Sequence, residues 1–162
     1  MKIDLSRFKD TAKSKSSENR LFLNRLKTKD ARKVDTFFHQ AHEEVFAETD
    51  CLMCANCCKT TSPIFYPVDI DRAAKFVRMK PGDFIEKYLQ VDEDKDYVLK
   101  SSPCAFLGED NYCAIYEARP KACREYPHTD RKKIVQIMDL TYKNTLVCPA
   151  VLEMLERIKK II

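Results

Sequence analysis

Half of the cysteines in this 162-residue chain fall within eight consecutive positions. The spacing C-x2-C-x2-C-C is formed by Cys51, Cys54, Cys57 and Cys58, and the remaining cysteines are Cys104, Cys113, Cys123 and Cys148. A thiolate is a soft anionic ligand, and the C-x2-C spacing lets one turn of backbone offer two sulfurs to the same metal ion. The pattern therefore predicts a metal site, with all eight cysteines as candidate ligands.

Disulfide pairing and simple burial are the two plainer interpretations of these cysteines. The adjacent residues Cys57 and Cys58 cannot bridge one another without strain, and a cytosolic setting disfavours disulfides in general. Burial as small apolar side chains is common for isolated cysteines and can apply to one or two of those beyond the cluster. It does not account for four cysteines at this spacing.

The identity of the metal stays open at the level of sequence. Two tetrahedral zinc sites would use all eight thiolates. A C-x2-C-x2-C run with a distant Cys-Pro pair, here Cys148-Pro149, instead resembles the ligand pattern of an iron–sulfur cluster. Because successive side chains diverge, Cys57 and Cys58 are expected to serve different centres, unless one of them bridges.

Charged and imidazole side chains near the cysteines are candidates for supporting roles. Basic residues that can offset the charge of metal-bound thiolates are Lys59, Arg119, Lys121 and Arg124, with surface charge as the alternative. His39 and His42 lie three residues apart on a predicted helix and can bind a metal, although an exposed helix face explains them equally well. His128 is interpreted as a loop residue, with hydrogen bonding to a ligand as the alternative.

The elements that must position these residues are mostly helical. Apolar periodicity begins near Glu18 and runs through Val45, with Asp30 as a candidate N-cap, whereas residues 1–16 show little of it. Further helices are predicted at 69–77, at 82–89 behind Pro81, around Cys123 behind Pro120, and after Pro149. Strand candidates are 97–99 and 134–138, the second with a helix as the alternative, and a hairpin-like turn is expected at 108–111.

We therefore expect an α+β fold that is predominantly helical, a small cysteine-rich domain with short strands and long loops around the metal region. Three parts are predicted: a basic helical N-terminal arm at 1–48, the metal-binding domain at 49–150, and a C-terminal helix of the same domain at 151–162.

Composition narrows the class of protein. No run of eighteen apolar residues occurs, which argues against a membrane span, and the N-terminus lacks the apolar stretch of a signal peptide. The expected location is therefore cytoplasmic, where thiols stay reduced. With only two glycines, Gly82 and Gly108, the chain holds neither a dinucleotide fingerprint nor a P-loop, so no nucleotide is expected.

The positive charge is concentrated near the N-terminus. Residues 1–33 carry eleven Lys or Arg against four acidic residues, so this basic helix is a candidate contact for an unknown protein partner. A solvated helix face is the plainer interpretation. Nucleic acid is disfavoured because no aromatic or Gly-rich binding pattern accompanies the charge.

Several stretches resemble the CxxCxxCC cysteine-cluster family of zinc- or iron-chelating domains. They are CLMCANCC (51–58), DIDRAAKFV (69–77), PCAFL (103–107) and CAIYEARPKACREYP (113–127), with Cys148 as a candidate last ligand. The resemblance covers about half of the chain and implies a metal-chelating domain without a defined biochemical role. In this motif Pro120 is expected to aim Cys123 at the cluster, and Arg119 to pair with Glu117 or with a thiolate.

The leading hypothesis is a metal-binding protein that chelates an iron–sulfur cluster or zinc through these cysteines. The alternatives are a metal-dependent redox or protein-modifying enzyme that acts with a partner, and a zinc-stapled interaction module. No catalytic residue can be named, and the sequence does not decide whether the protein is an enzyme.

Overall fold

A computed structural model describes residues 4–162 and confirms an α+β fold that is predominantly helical. The chain divides into two compact units. Unit 1 runs up to Cys54 and resumes at Pro127–Ile162, and unit 2 is Ala55–Tyr126. The division into 1–48, 49–150 and 151–162 concerns domain boundaries and stays a prediction.

Unit 1 is built from helices. In chain order they are α1 (Leu5–Ser14), α2 (Ser16–Leu26), α3 (Ala31–Ala47), α4 (Cys51–Cys54), α9 (Met138–Thr145) and α10 (Pro149–Lys159). Helix α3 packs against α10, and α2 packs against α9. Their apolar stripes meet in one core that includes Leu23, Phe38, Val45, Met154 and Ile158. Burial of these faces, rather than intrinsic helix propensity, stabilises helices of this length.

Two helix starts in unit 1 follow the sequence signals. The Asp30 side chain accepts a hydrogen bond from the Lys33 N–H at 3.0 Å, which confirms it as the N-cap of α3. Pro149 occupies the first position of α10, where its missing N–H is not needed.

The structure of unit 1 differs from the sequence-based expectations in two segments. Residues 5–14 form a helix despite their weak periodicity, because Asp4 caps it and because Phe8 and Ala12 are buried together with Leu152. The strand predicted at 134–138 is wrong, and the helical alternative is correct, since Ile134–Ile137 is a 3₁₀ helix. The Asp35 carboxylate holds its start, accepting from the N–H groups of Lys133 and Ile134 at 2.7 and 2.9 Å.

Unit 2 combines short helices with a small antiparallel sheet. Its helices are α5 (Asn56–Thr60), α6 (Pro67–Phe76), α7 (Pro81–Tyr88) and α8 (Lys121–Glu125), and its strands are β1 (Leu89–Val91) and β2 (Tyr97–Leu99). The register pairs Leu89 with Leu99 and Val91 with Tyr97, and Phe65 adds a single bridge to Tyr97. Strand β2 was predicted, whereas β1, which begins at the last residue of the helix predicted at 82–89, was not.

The core of unit 2 is aromatic and small. Phe84 lies at its centre, with ring centroids 6.1 Å from Phe65 and 5.9 Å from Phe106. Ala73 and Ala74 of α6 are fully buried, so the helix backbone can approach its neighbours closely. The segment 100–120 has little regular structure beyond one 3₁₀ turn, Tyr116–Ala118. Cys104 and Cys113 are therefore held by loops.

Within residues 4–162, no helix is long and apolar enough to cross a membrane. The basic N-terminal region is partly engaged in ion pairs inside unit 1, since Lys15 pairs with Glu156 and Lys27 with Asp139.

Candidate metal centre

Unit 2 brings one group of candidate ligands into the same neighbourhood: Cys58, Cys104, Cys113 and Cys123. The Cys104 N–H donates to the Cys58 carbonyl at 2.9 Å, which ties the loop to helix α5. Cys113 forms an isolated β-bridge with Leu107, so the expected hairpin-like arrangement holds Cys104 and Cys113 on its two arms. Cys123 lies on α8, where its N–H donates to the Pro120 carbonyl at 3.0 Å.

These thiols interact through their charges. Burial, together with the charges of the Cys58, Cys104 and Cys113 thiolates, raises the pKa of Cys123 to about 12. Burial also raises the pKa of Cys104 and of Cys113, again with repulsion from Cys58. A bound cation would stabilise thiolates that repel one another in this way.

Cys57 and Cys58 are distinguished by their neighbours. Their sulfur atoms lie 4.0 Å apart, and the contact with the Cys57 thiol lowers the pKa of Cys58 to about 7. The positive charges of Arg119 and Lys59 act on Cys58 in the same direction. Cys58 is therefore a thiol with substantial thiolate character at neutral pH, the form that binds a metal.

Unit 1 holds a second group of candidate ligands. Cys51 and Cys54 begin and end the single turn of α4, as the C-x2-C spacing requires, and Cys148 is the residue immediately before α10. Burial raises the pKa of Cys148 to about 11, and the thiolates of Cys51 and Cys54 contribute to the increase. Each unit thus has its own set of neighbouring thiols.

The two groups are not closed coordination spheres as they stand. Across residues 4–162, no three cysteine, histidine, aspartate or glutamate side chains lie in an arrangement that would hold a metal ion. No disulfide links the eight cysteines in this part of the chain. The donor set nevertheless fits a thiophilic metal, because each group offers at least three thiols, and metal binding commonly completes such a site.

Arg119 is a basic side chain whose charge acts on several of the unit 2 thiols. Its guanidinium carbon lies 3.5 Å from the centre of the Tyr116 ring, a cation–π contact. Its positive charge favours the thiolate form of three cysteines. At Cys113 and Cys123 it lowers the pKa, whereas burial raises it. At Cys58 it lowers the pKa in the same direction as the contact with Cys57. Of its two predicted partners, the structure therefore favours the thiolates.

His39 and His42 make contacts with the segment that follows Pro127. His39 Nε2 is 3.1 Å from the Arg131 carbonyl oxygen, and His42 Nδ1 is 2.8 Å from the Thr129 hydroxyl. Both side chains therefore connect α3 to the segment that follows Pro127, and metal binding by this pair, which the sequence left open beside an exposed helix face, stays untested. His128 adopts a left-handed backbone with a φ of 65°, as a loop residue can.

Two supporting residues were not identified from the sequence. Asp69 is buried on α6 and accepts hydrogen bonds from Arg72 and from the Lys121 N–H, while Arg72 also donates to the Arg119 carbonyl. The stretch DIDRAAKFV was assigned to a helix, but its contacts reach 47 and 52 residues along the chain. In the sequence, the signal for both residues is their place in the family-like stretch DIDRAAKFV.

The site defines a class of protein, one in which cysteines from distant segments of the chain lie near one another and offer thiols to a metal. The chain belongs to the CxxCxxCC family, described as a putative zinc- or iron-chelating domain, whose model matches residues 50–148. This confirms the resemblance drawn from the sequence and supports metal binding. No curated protein matches the chain, and no solved structure does.

Proposed function

We propose that this protein is a metal chelator with two thiolate centres, one in each unit. The first uses Cys58, Cys104, Cys113 and Cys123, and the second is built on Cys51, Cys54 and Cys148. The observation that carries the proposal is the separation of the thiols into two groups, each of which interacts within its own unit. Cys57 adjoins the first group and is assigned there as an alternative or bridging ligand.

Both zinc and an iron–sulfur cluster suit these donors. Four thiolates satisfy a tetrahedral zinc ion and would close its coordination sphere, which gives a structural site. The same four thiolates suit a cluster, whose potential depends on hydrogen bonds and charge around the sulfurs. The expected cytoplasmic location supports either metal, because a reducing compartment keeps the cysteines available as thiolates.

Metal analysis of protein purified without oxygen tests the proposal. The native chain is expected to carry two metal centres, seen as about two zinc ions in a colourless protein, or as iron with acid-labile sulfide in a brown one. Cys123→Ser should lose only the first centre and Cys148→Ser only the second. Met53→Ser is the matched control, because Met53 lies between Cys51 and Cys54 with 78% of its surface exposed and is not a proposed ligand.

The outcomes separate the parts of the proposal. A native chain without metal or sulfide would overturn metal chelation. Loss of all metal in both single variants would overturn the division into two centres and would favour one shared site. Contact with a protein partner through the basic N-terminal helix stays a prediction, as do the enzyme and interaction-module alternatives.

A further inference from the structure

Asp69 is a buried carboxylate with three hydrogen-bond donors around it. Only 1% of its surface is exposed, and it accepts from the Tyr66 N–H at 3.2 Å, the Lys121 N–H at 3.1 Å and the Arg72 guanidinium at 2.5 Å. The first contact also closes the start of α6, since Tyr66 precedes the helix. A carboxylate in such a setting is a fixed anchor, because removing it would leave the Tyr66 and Lys121 N–H groups without this acceptor.

Arg72 and Asp69 together hold the peptide Arg119-Pro120-Lys121 at both ends. The Arg72 Nη2 that contacts Asp69 also donates to the Arg119 carbonyl at 2.7 Å, while Asp69 itself accepts from the Lys121 N–H. This peptide connects the turn that follows Cys113 to the helix that carries Cys123, because Tyr116 N–H donates to the Cys113 carbonyl. Helix α6 therefore fixes the backbone from which the Arg119 side chain projects.

The Arg119 side chain has an aromatic stacking partner and one N–H group without an acceptor among the described residues. Its guanidinium stacks on Tyr116, and its Nε is buried and makes no hydrogen bond with any residue in the described range 4–162. A buried N–H without an acceptor is rare in folded proteins. A thiolate bound to a metal would be a suitable acceptor, and N–H donors to such sulfurs tune the centre.

We infer that Arg119 supplies compensating positive charge to the first centre and a hydrogen-bond donor to one of its thiolates, and that Asp69, acting through Arg72, is its positioning residue. This inference rests on the proposed function of the same cysteines. It assigns a role at the metal centre to a helix that contains no cysteine. A centre with four thiolates and a divalent metal carries net negative charge, so an adjacent guanidinium stabilises it.

Zinc affinity, measured by competition with a chromophoric chelator, tests the inference on the full-length chain. Arg119→Gln and Asp69→Asn are each expected to weaken binding at the first centre about tenfold, the lower end of the effect of residues that support metal ligands. Arg119→Lys should recover much of the affinity because it keeps the charge. The matched controls are Arg32→Gln and Asp71→Asn, which remove the same groups at exposed positions of α3 and α6 and should leave binding unchanged.

A double variant distinguishes positioning from a general loss of structure. If Asp69 acts through Arg119, Asp69→Asn combined with Arg119→Gln should bind zinc about as tightly as Arg119→Gln alone. Cobalt substitution gives a second readout, because the thiolate-to-cobalt absorption band should shift in Arg119→Gln and in Asp69→Asn but not in the controls. If Asp69→Asn does not fold by circular dichroism, Arg72→Gln takes its place, since it removes the guanidinium whose Nη2 contacts both Asp69 and the Arg119 carbonyl.

The results that overturn the inference differ from those that overturn metal chelation. Unchanged zinc affinity and an unchanged cobalt spectrum in Arg119→Gln would remove the role of Arg119. Fully additive losses in the double variant would remove the positioning role of Asp69. A native chain that takes up neither zinc nor cobalt would overturn the proposed function, and this inference with it.

Discussion

At the scale of single residues, the buried thiols carry protons that a metal must displace. Burial raises the pKa of Cys123 to about 12 and that of Cys148 to about 11, and it raises the pKa of Cys104 and of Cys113 as well. In the metal-free protein these four thiols are therefore protonated at neutral pH. A metal binds only the thiolate, so uptake is coupled to release of those protons.

We expect zinc uptake at pH 7 to release at least four protons per chain, one from each of these cysteines. Because protons compete with the metal, apparent affinity should fall as pH is lowered from 8 to 6, by roughly tenfold per pH unit for each proton displaced. Calorimetry in buffers with different ionisation enthalpies measures the number released. Cys123→Ser should release fewer, and a native count below four would contradict the assignment of these ligands.

At the scale of elements, helix α6 ends in a Schellman motif. The Met79 N–H donates to the Ala74 carbonyl at 2.9 Å and the Arg78 N–H to the Lys75 carbonyl at 3.1 Å. Arg78 occupies the left-handed position with a φ of 57°, where a glycine avoids contact between the Cβ and the backbone. Because the chain has only two glycines, other residues occupy left-handed positions such as this one, and they adopt that conformation at a cost in free energy.

Arg78→Gly should increase the free energy of unfolding by about 1 kcal/mol, because glycine adopts this backbone conformation without strain. Thermal or urea unfolding of the two proteins measures the difference. Arg78→Ala is the control, since it removes the same exposed side chain but keeps the Cβ, and it should not stabilise the protein. Equal stabilisation by both substitutions would show that loss of the charge, and not relief of the backbone, is responsible.

Elements whose signals are local could be predicted from the sequence. Asp30 marked the start of α3, Pro81 and Pro149 marked the starts of α7 and α10, and the apolar β2 segment was recognised. Each signal acts within a few residues, through a capping hydrogen bond or the fixed φ of proline.

Elements held by distant partners could not be predicted in this way. The 3₁₀ helix Ile134–Ile137 depends on Asp35, which lies 98 and 99 residues away from the amides it accepts from. The same limit applied at the candidate site. Spacing identified the cysteine cluster and the family, but the roles of Asp69 and Arg72 depend on contacts with residues 119 and 121.

At the scale of the whole molecule, the two units differ in what supports them. Unit 1 has a large core between helices, with Phe38, Met154 and Ile158 buried at its centre. Unit 2 has short helices, a two-stranded sheet and long irregular stretches around Cys104 and Cys113. Binding free energy at a thiolate centre is also folding free energy for the segments that supply its ligands. Metal should therefore matter more for unit 2.

Removal of metal with a strong chelator should increase hydrogen exchange more in residues 100–126 than in helices α3 and α10. Mass spectrometry of peptic fragments from the loaded and the chelated protein measures this difference. Cys123→Ser should show the same pattern without a chelator, whereas Met53→Ser should exchange like the native chain. A uniform increase along the whole chain would contradict the separate support of the two units.

The division of the chain between Cys54 and Ala55 has a practical consequence for engineering. Boundaries between compact units are ordinarily the safest places for a protease site or an epitope tag. Here the boundary falls inside the ligand-bearing motif, where an inserted residue would change the spacing of the sulfurs. The exposed turn Glu93–Lys95, between β1 and β2, contains no cysteine and joins neighbouring strands. Labels for detection or immobilisation belong in that turn.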